Sequence, residues 1–300
     1  MPALKLHYLF NDFSAECHQI GVSPDGHFLA IATATQPATV SLCDISGKTF
    51  AELKGHSGCV GAVDFSSDGR FLASSSADGT VRIWRPTGEV VSIFDRFSSP
   101  PGLVSFSPQF PIIAAAERKG LIVLFDIEAN YIATLHSPKG FIRSLGWSSD
   151  NEFLIASCAD NNLYLYNIAE QRKKVYIHPA EVLGAVFPED DETDARCVLS
   201  LCADGFLRKI PSIDSRSKTL ARVERPVAGL CFLRSVPVVA LATSSGSLTI
   251  FDLDGSEISS LNAGFAAGRL MSSNPDSRLI FLAGEKTLAV YAVSDFSPAA

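Results

Sequence analysis

Residues 55–84 read GHSGCVGAVDFSSDGRFLASSSADGTVRIW, three apolar runs separated by a Ser-Ser-Asp-Gly turn and an Ala-Asp-Gly turn. Related segments recur along the chain at a spacing of roughly 41 residues, which is typical of a repeat architecture. A single unit of alternating strands cannot bury both of its faces, so it must pack against copies of itself. The stretch therefore predicts a body built from repeated small β-sheets.

Seven copies of this unit account for nearly the whole chain. Each has an apolar strand, a polar turn, a strongly apolar strand, a tight turn and an alternating strand that ends in a bulky residue. A more exposed fourth strand follows, and the middle strands read as covered on both faces. We expect one domain over residues 1–300, with repeats at 14–54, 55–96, 97–136, 137–178, 179–223, 224–262 and 263–296.

The two ends of the chain complement each other. After Val293 only seven residues remain, too few for a fourth strand in the last repeat, while residues 4–10 form a strand-like segment before the first. We expect this N-terminal strand to complete the last sheet and close a ring, which removes exposed sheet edges.

Composition narrows the class of protein. Apolar residues make up 47% of the chain and charged residues 19%, and the net charge is −7, which argues against nucleic acid as the main partner. No Cys-x-x-Cys pair, secretory signal or apolar run of about 20 residues is visible. We expect reduced thiols, no membrane span and an intracellular location, in the cytoplasm, the nucleus or both.

These motifs resemble the WD40 repeat family, which carries a Gly-His and Trp-Asp signature in each repeat. The resemblance covers residues 4–293 and implies an all-β fold, a single seven-bladed β-propeller of four-stranded antiparallel blades. It also implies a structural hydrogen-bond network of His56, Ser74, Asp78 and Trp84. The aspartate of the tight turn is kept at Asp160 and Asp204, and Lys119, Ser245 and Glu285 replace it elsewhere.

No set of residues predicts catalysis, a cofactor or a metal. His56, Ser74 and Asp78 could suggest a hydrolase, but no Gly-x-Ser-x-Gly turn accompanies them and their positions match the structural network. Phosphate-binding glycine loops are absent. The acidic residues Asp190, Asp191, Glu192 and Asp194 are best read as a solvated loop, with a weak cation or basic-partner site as the alternative.

One sector of the ring is rich in basic residues. Lysine and arginine on an outer strand commonly block unwanted strand pairing, and a docking patch for an acidic partner or for nucleic acid is the alternative. The residues that give this sector, in blades four to six, its basic character are Arg172, Lys173, Lys174, Arg208, Lys209, Arg216, Lys218, Arg222 and Arg225.

Partner binding is expected where loops enter the innermost strands, since binding residues collect on loops of a rigid scaffold. Phe141 and Arg143 are the strongest candidates because aromatic residues and arginine dominate binding hot spots. The alternative is that Phe141 fills a blade interface and Arg143 is only solvated. The candidate residues of this rim are Glu16, His18, Phe141, Arg143, Glu181 and Leu183.

The sequence thus predicts a non-catalytic scaffold or adaptor, a monomeric propeller that docks partner peptides or subunits within a larger complex. An RNA-associated propeller is the first alternative and a propeller enzyme the second. Neither convergent acids nor a metal cluster appears among the rim positions, which places the enzyme last.

Overall fold

The computed structural model describes residues 4–10, 17–33, 38–136, 140–188, 197–213, 215–223, 226–233, 238–264, 270–273, 279–283 and 287–293. Within these ranges all regular structure is β, in seven four-stranded antiparallel sheets that form the blades of a propeller. The predicted all-β, seven-bladed fold is confirmed.

The strands follow the chain order blade by blade. Blade 1 contains β2 (Cys17–Val22), β3 (Phe28–Thr33), β4 (Thr39–Asp44) and β5 (Thr49–Lys54). Blade 2 contains β6 (Val60–Phe65), β7 (Leu72–Ser76), β8 (Val81–Trp84) and β9 (Val90–Phe94). Blade 3 contains β10 (Pro101–Phe106), β11 (Ile112–Glu117), β12 (Leu121–Asp126) and β13 (Tyr131–His136). Blade 4 contains β14 (Ile142–Trp147), β15 (Phe153–Cys158), β16 (Asn162–Asn167) and β17 (Arg172–Ile177).

The remaining three blades repeat this plan. Blade 5 contains β18 (Val182–Val186), β19 (Val198–Cys202), β20 (Phe206–Ile210) and β21 (Lys218–Arg222). Blade 6 contains β22 (Val227–Leu233), β23 (Val238–Thr243), β24 (Ser247–Asp252) and β25 (Glu257–Asn262). Blade 7 contains β26 (Leu270–Ser273), β27 (Leu279–Ala283), β28 (Leu288–Val293) and β1 (Leu4–Phe10).

The hydrophobic core is divided among the blade interfaces. Each of seven clusters of buried side chains joins two neighbouring blades, including one between blades 7 and 1. In the cluster between blades 2 and 3, for example, Phe94 stacks on Phe125 with ring centroids 4.3 Å apart. Burial on both sides explains why the middle strands are apolar on both faces.

The N-terminal strand closes the ring as expected. β1 pairs antiparallel with β28, with Leu4 opposite Val293 and Phe10 opposite Leu288. Leu4 also packs against the buried cluster of blades 6 and 7. Because blade 7 takes strands from both ends of the chain, the two ends hold one sheet together.

The first strand of each sheet lies innermost, since these strands neighbour one another around the ring. Six of them have a shift in pairing register at their second residue. Such bulges re-aim a side chain and often lie near functional sites. The bulged residues are His18, Gly61, Gly102, Arg143, Leu183 and Ala228.

In the part of the chain that the structure covers, no helix has the length and apolarity needed to cross a membrane. The cysteines whose side chains the structure describes are free thiols, and all of these except Cys59 are buried.

Candidate partner-binding site

Four side chains of blade 2 form a continuous hydrogen-bonded chain beneath the loop that enters β6. His56 Nδ1 lies 2.8 Å from Asp78 Oδ2, and His56 Nε2 lies 2.7 Å from Ser74 Oγ. The indole Nε1–H of Trp84 donates to Ser74 Oγ at 2.7 Å. The aspartate also accepts from the backbone N–H groups of Ser57 and Thr80, which fixes both loops.

The protonation of this chain follows from its partners. Burial lowers the pKa of His56, although Asp78 favours the charged ring. Burial opposes ionisation of Asp78, yet hydrogen bonds from Thr80 and His56 lower the pKa of Asp78 to about 2. Neutral His56 therefore donates from Nδ1 to the carboxylate and accepts the Ser74 hydroxyl proton at Nε2.

This arrangement resembles a Ser-His-Asp triad in composition but not in accessibility. Ser74 is fully buried, and its oxygen already accepts the Trp84 N–H. A nucleophile must reach its substrate and needs room for an oxyanion next to it. The buried serine has neither, so the set joins the loop, the second strand and the third strand of blade 2.

Blade 5 contains a second histidine–serine pair, which the sequence analysis did not single out. His178 Nδ1–H donates to the Tyr176 carbonyl at 3.1 Å, and His178 Nε2 lies 3.0 Å from Ser200 Oγ. Burial lowers the pKa of His178. Asp204 binds the guanidinium of Arg208 instead of the histidine. The pair could have been found by aligning Ser200 with Ser74 and searching upstream for a histidine.

In blades 3 and 4 other side chains make the hydrogen bonds at the corresponding loops. In blade 4 the Tyr164 hydroxyl donates to Asp160 at 2.6 Å. In blade 3, where Lys119 occupies the tight-turn position, the carboxylate of Glu117 is buried and accepts from the N–H groups and hydroxyls of Ser98 and Ser99. Blades 2 to 5 thus each keep a hydrogen-bonded anchor although the residue types change.

A repeated backbone hydrogen bond fixes the entrance of the inner strands. In five blades of the described structure, the backbone carbonyl of the residue just before the inner strand accepts a hydrogen bond. The donor is the backbone N–H of the first residue after the second strand. The accepting carbonyls belong to Cys59, Pro100, Phe141, Glu181 and Pro226, and the donors are Ala77, Arg118, Ala159, Ala203 and Ser244, at 2.8–3.2 Å. Phe141 and Glu181 therefore occupy equivalent, backbone-fixed positions in blades 4 and 5.

Four of the predicted rim residues lie at this entrance. Phe141 precedes β14 and is 57% exposed, so it does not fill a blade interface. Arg143 is the bulged residue of β14, and its Nε–H donates to the carboxylate of Glu181 on blade 5. Leu183, the bulged residue of β18, is half-buried. Arg143 is thus paired and not merely solvated.

The other two predicted rim residues give less information. Glu16 lies outside the described residues. His18 lies in β2 at the bulged position, and its side chain is also outside what the structure describes.

Side chains of the inner strands also link neighbouring blades. Within the described residues, three such side chains accept a backbone N–H of a neighbouring inner strand, the strand of each sheet that lies nearest the axis. The bonds run from Val63 N to Gln19 Oε1 (3.1 Å), from Phe106 N to Asp64 Oδ2 (2.8 Å) and from Ala185 N to Ser144 Oγ (3.2 Å). Burial raises the pKa of Asp64 to about 7, although hydrogen bonds from Phe106, Phe65 and Ser105 favour its ionised form.

Several residues of the basic sector are engaged inside the fold. Arg208 is buried against Asp204, which raises the pKa of Arg208. Lys174 Nζ donates to the Ile213 carbonyl and Lys209 Nζ to the Leu253 carbonyl, each on the next blade. Asp204 therefore neutralises the charge of Arg208, whereas Lys174 and Lys209 keep their charges but are held against neighbouring blades. Arg225 and the acidic residues Asp190, Asp191, Glu192 and Asp194 fall outside the described residues.

Over the ranges that the structure describes, no group of three or more His, Cys, Asp and Glu side chains has the arrangement of a metal site. The polar geometry of the entrance is suited to recognising another chain. It offers one exposed aromatic ring, one ion pair and a backbone held by the blade.

Comparison with known families agrees with the architecture. Residues 47–85 match the family described as "WD domain, G-beta repeat". Residues 104–181 match the family described as "Anaphase-promoting complex subunit 4 WD40 domain".

Three related proteins show where similar chains occur. The chain is 27% identical over 192 residues to WD repeat-containing protein 90 of Xenopus tropicalis, covering 63% of this chain and 10% of that protein. It is 25% identical over 188 residues to the target of rapamycin complex subunit wat1 of Schizosaccharomyces pombe, covering 62% and 59%. It is 29% identical over 156 residues to eukaryotic translation initiation factor 3 subunit I of Debaryomyces hansenii, covering 46% and 44%.

The aligned part thus spans less than two thirds of each relative's own length. Two of these relatives are named as subunits of larger assemblies.

Proposed function

Because the chain is a WD40 repeat protein, we propose that it acts as a non-catalytic scaffold that docks a partner peptide or subunit on the rim around its inner strands. We place this activity inside the cell, in a hetero-complex to which the propeller contributes one copy. The names of the relatives support an assembly role, and the fully buried Ser74 argues against a hydrolase in blade 2.

The observation that carries the proposal is the exposed ring of Phe141 on a backbone position fixed by its hydrogen bond to Ala159. An aromatic side chain with two rotatable bonds loses little conformational entropy when a partner covers it. The adjoining ion pair of Arg143 and Glu181 is partly exposed, so it adds little stability to the fold. Such an ion pair can instead orient a partner and discriminate among partners.

The test compares substitutions at two equally exposed phenylalanines. Phe141 is 57% exposed at the entrance of β14, and Phe110 is 55% exposed in the β10–β11 turn at the other end of the inner strands. The tagged wild type, Phe141→Ala, Arg143→Glu and Phe110→Ala are purified from cells, and the co-purified proteins are quantified by mass spectrometry. We expect Phe141→Ala and Arg143→Glu to lose the same partners, by about tenfold, and Phe110→Ala to keep them.

A double variant separates recognition from the ion pair itself. Arg143→Glu combined with Glu181→Arg restores the pair with reversed polarity. If that variant regains the partners, the charges act only within the propeller; continued loss shows that the partner reads their order. An unchanged partner set in Phe141→Ala and Arg143→Glu would overturn the rim proposal.

RNA association has less support than protein binding as the function of this chain. Arg208, Lys174 and Lys209 have partners within the fold, which weakens the observation on which that alternative rested. A filter-binding titration with single-stranded RNA at low and physiological salt decides it. Binding with a steep salt dependence would support the RNA alternative.

A further inference from the structure

A groove of about 620 Å³ runs along the side of the ring between blades 3 and 4. All six residues of β13 line one wall, and the other wall includes Tyr166, Ile168 and Lys173 of blade 4. The volume falls within the range of binding pockets, but the shape follows a strand. An elongated site of this kind suits an extended chain better than a compact small molecule.

β13 is the outermost strand of its sheet and pairs only with β12 in the part of the chain that the structure describes. At its outer edge the His136 carbonyl accepts from the Tyr166 hydroxyl (3.3 Å) and Lys173 Nζ (3.2 Å), and the part of the strand before His136 has no further strand to pair with among the described residues. Tyr131 and Ile132 are 51% and 45% exposed, so the edge is apolar as well as open.

The edge also lacks the usual protection against pairing. Natural proteins block such edges with lysine, proline or a short strand. The outer strand of blade 4 carries Arg172, Lys173 and Lys174, and that of blade 5 carries Lys218 and Arg222. β13 has six residues and none of these types, and its sole ionisable side chain besides Tyr131 is His136.

The charge of the groove selects the partner. Among the described residues that line it, Lys173 is the one formally charged side chain and none is a carboxylate. The Lys173 ammonium donates to the His136 carbonyl, a neutral group, so it keeps its charge. Two carboxylates next in sequence to the elements that line the groove have other partners: Asp126 accepts from the backbone N–H groups of Glu128 and Asn130, and Glu170 pairs with Arg172. The chain as a whole carries a charge of −7, and the groove borders the basic sector of this acidic protein.

We propose that β13 and this groove bind an extended segment of another protein by strand addition, and that the segment alternates apolar residues with at least one acidic residue. The backbone of the segment pairs with the edge of β13, its apolar side chains cover Tyr131 and the wall of blade 4, and its carboxylate meets Lys173. Backbone pairing supplies affinity and the alternate side chains supply specificity. The groove is separate from the rim at Phe141, so either proposal can fail alone.

The probe is a fluorescein-labelled peptide of about eight residues that alternates valine and glutamate, long enough to cover the six residues of β13. A peptide that alternates valine and lysine tests the charge. Fluorescence anisotropy is measured with the full chain. We expect the glutamate peptide to bind and the lysine peptide to bind about tenfold more weakly or not at all.

Two substitutions on the protein test the edge and the charge. Ile132→Lys places on β13 the kind of residue that protects other outer strands, and it should weaken binding roughly tenfold or more. Lys173→Glu should reverse the preference between the two peptides. The matched controls are Val91→Lys on β9, an exposed and equally uncharged outer strand, and Lys218→Glu at the start of β21. Both controls should bind like the wild type.

Circular dichroism and thermal unfolding check that each variant folds, which the exposure of the substituted residues favours. Failure of the glutamate peptide to bind the wild type, or equal binding by Ile132→Lys, would overturn the proposal. Equal weakening by Val91→Lys would also overturn it, because any outer edge would then suffice. Light scattering that shows wild-type dimers absent from Ile132→Lys would assign the edge to a second copy of this chain instead.

Discussion

Two adjacent serines of β7 show what determines the contribution of a buried hydroxyl to the stability of the fold. Ser74 and Ser75 are both fully buried in the same strand. Ser74 receives the Trp84 N–H and donates to His56, whereas the Ser75 hydroxyl lacks a hydrogen-bond partner in the described structure. Their side chains are the same, so any difference between them comes from their partners.

Replacing each serine by alanine should therefore give different results. Ser74→Ala leaves the Trp84 N–H and His56 Nε2 unpaired in a buried site, and we expect it to lower the free energy of unfolding by about 2–4 kcal/mol. Ser75→Ala removes an unsatisfied hydroxyl and should change it by less than about 0.5 kcal/mol, or raise it slightly. Urea unfolding of both variants measures the difference. Equal losses would show that strand packing, not the network, sets the cost.

At the residue scale, the sequence is informative only where the motif is complete. His56, Ser74, Asp78 and Trp84 could be grouped because they stand at the family spacing in copy two. The motif does not identify His178, since isoleucine precedes it instead of glycine, and only the alignment of Ser200 with Ser74 points to it. It also lies 22 residues before its serine, compared with 18 for His56 and Ser74. The rim residues Phe141, Arg143, Glu181 and Leu183 remain a prediction of binding, because their function depends on a partner.

At the element scale, the seven repeated strand patterns predict the sheets, but the pattern does not reveal the bulges. The register shift at Arg143 and Leu183 inserts an unpaired residue, and Gly61 occupies the same place in blade 2. An alternation of apolar and polar residues cannot distinguish a bulged residue from a regular one. The same limitation conceals Asp64, which reads as a polar strand residue and instead bridges two inner strands.

The bridge made by Asp64 predicts a pH dependence of stability. Because the pKa is raised from 3.8 to about 7 in the folded state, the native protein holds a proton that the unfolded chain releases. The stabilisation by this proton is fully present below about pH 4 and is lost as pH rises through about 7. Asp64→Asn keeps an acceptor for the Phe106 N–H without the charge. The substitution should raise the free energy of unfolding at pH 8 by about 2 kcal/mol. This is less than the full pKa shift would give, because Asp64 is partly exposed and solvent screens its charge.

The measurement is the difference in unfolding free energy between Asp64→Asn and the wild type at pH 5, 6.5 and 8. Taking the difference cancels the opposite contributions of His56 and His178, which destabilise the fold as pH falls. Asp95→Asn removes an exposed carboxylate from the same blade and is the control for net charge. A difference that does not grow from pH 5 to pH 8 would contradict a protonated Asp64.

At the scale of the whole molecule, the fold follows from burial on both faces of each blade. The apolar runs of the middle strands predict sheets covered on two sides, and the seven interfacial clusters are where they are covered. A linear stack of such blades would leave two apolar faces open to water. The ring avoids this because blade 7 packs on blade 1. Blade 7 is completed by the pairing of β1 with β28, so closure of the ring depends on this pairing.

Deleting residues 1–10 should therefore weaken the whole ring and not one blade alone. The deletion removes β1, exposes the edge of β28 and takes Leu4 from the cluster of blades 6 and 7. We expect the melting temperature to fall by roughly 10 °C and a fraction of the protein to associate through the open edge. Thermal unfolding and light scattering report the two effects, with a variant lacking only residues 1–3 as the control. A monomeric variant that melts with the wild type would mean that the interface between blades 7 and 1 closes the ring without β1.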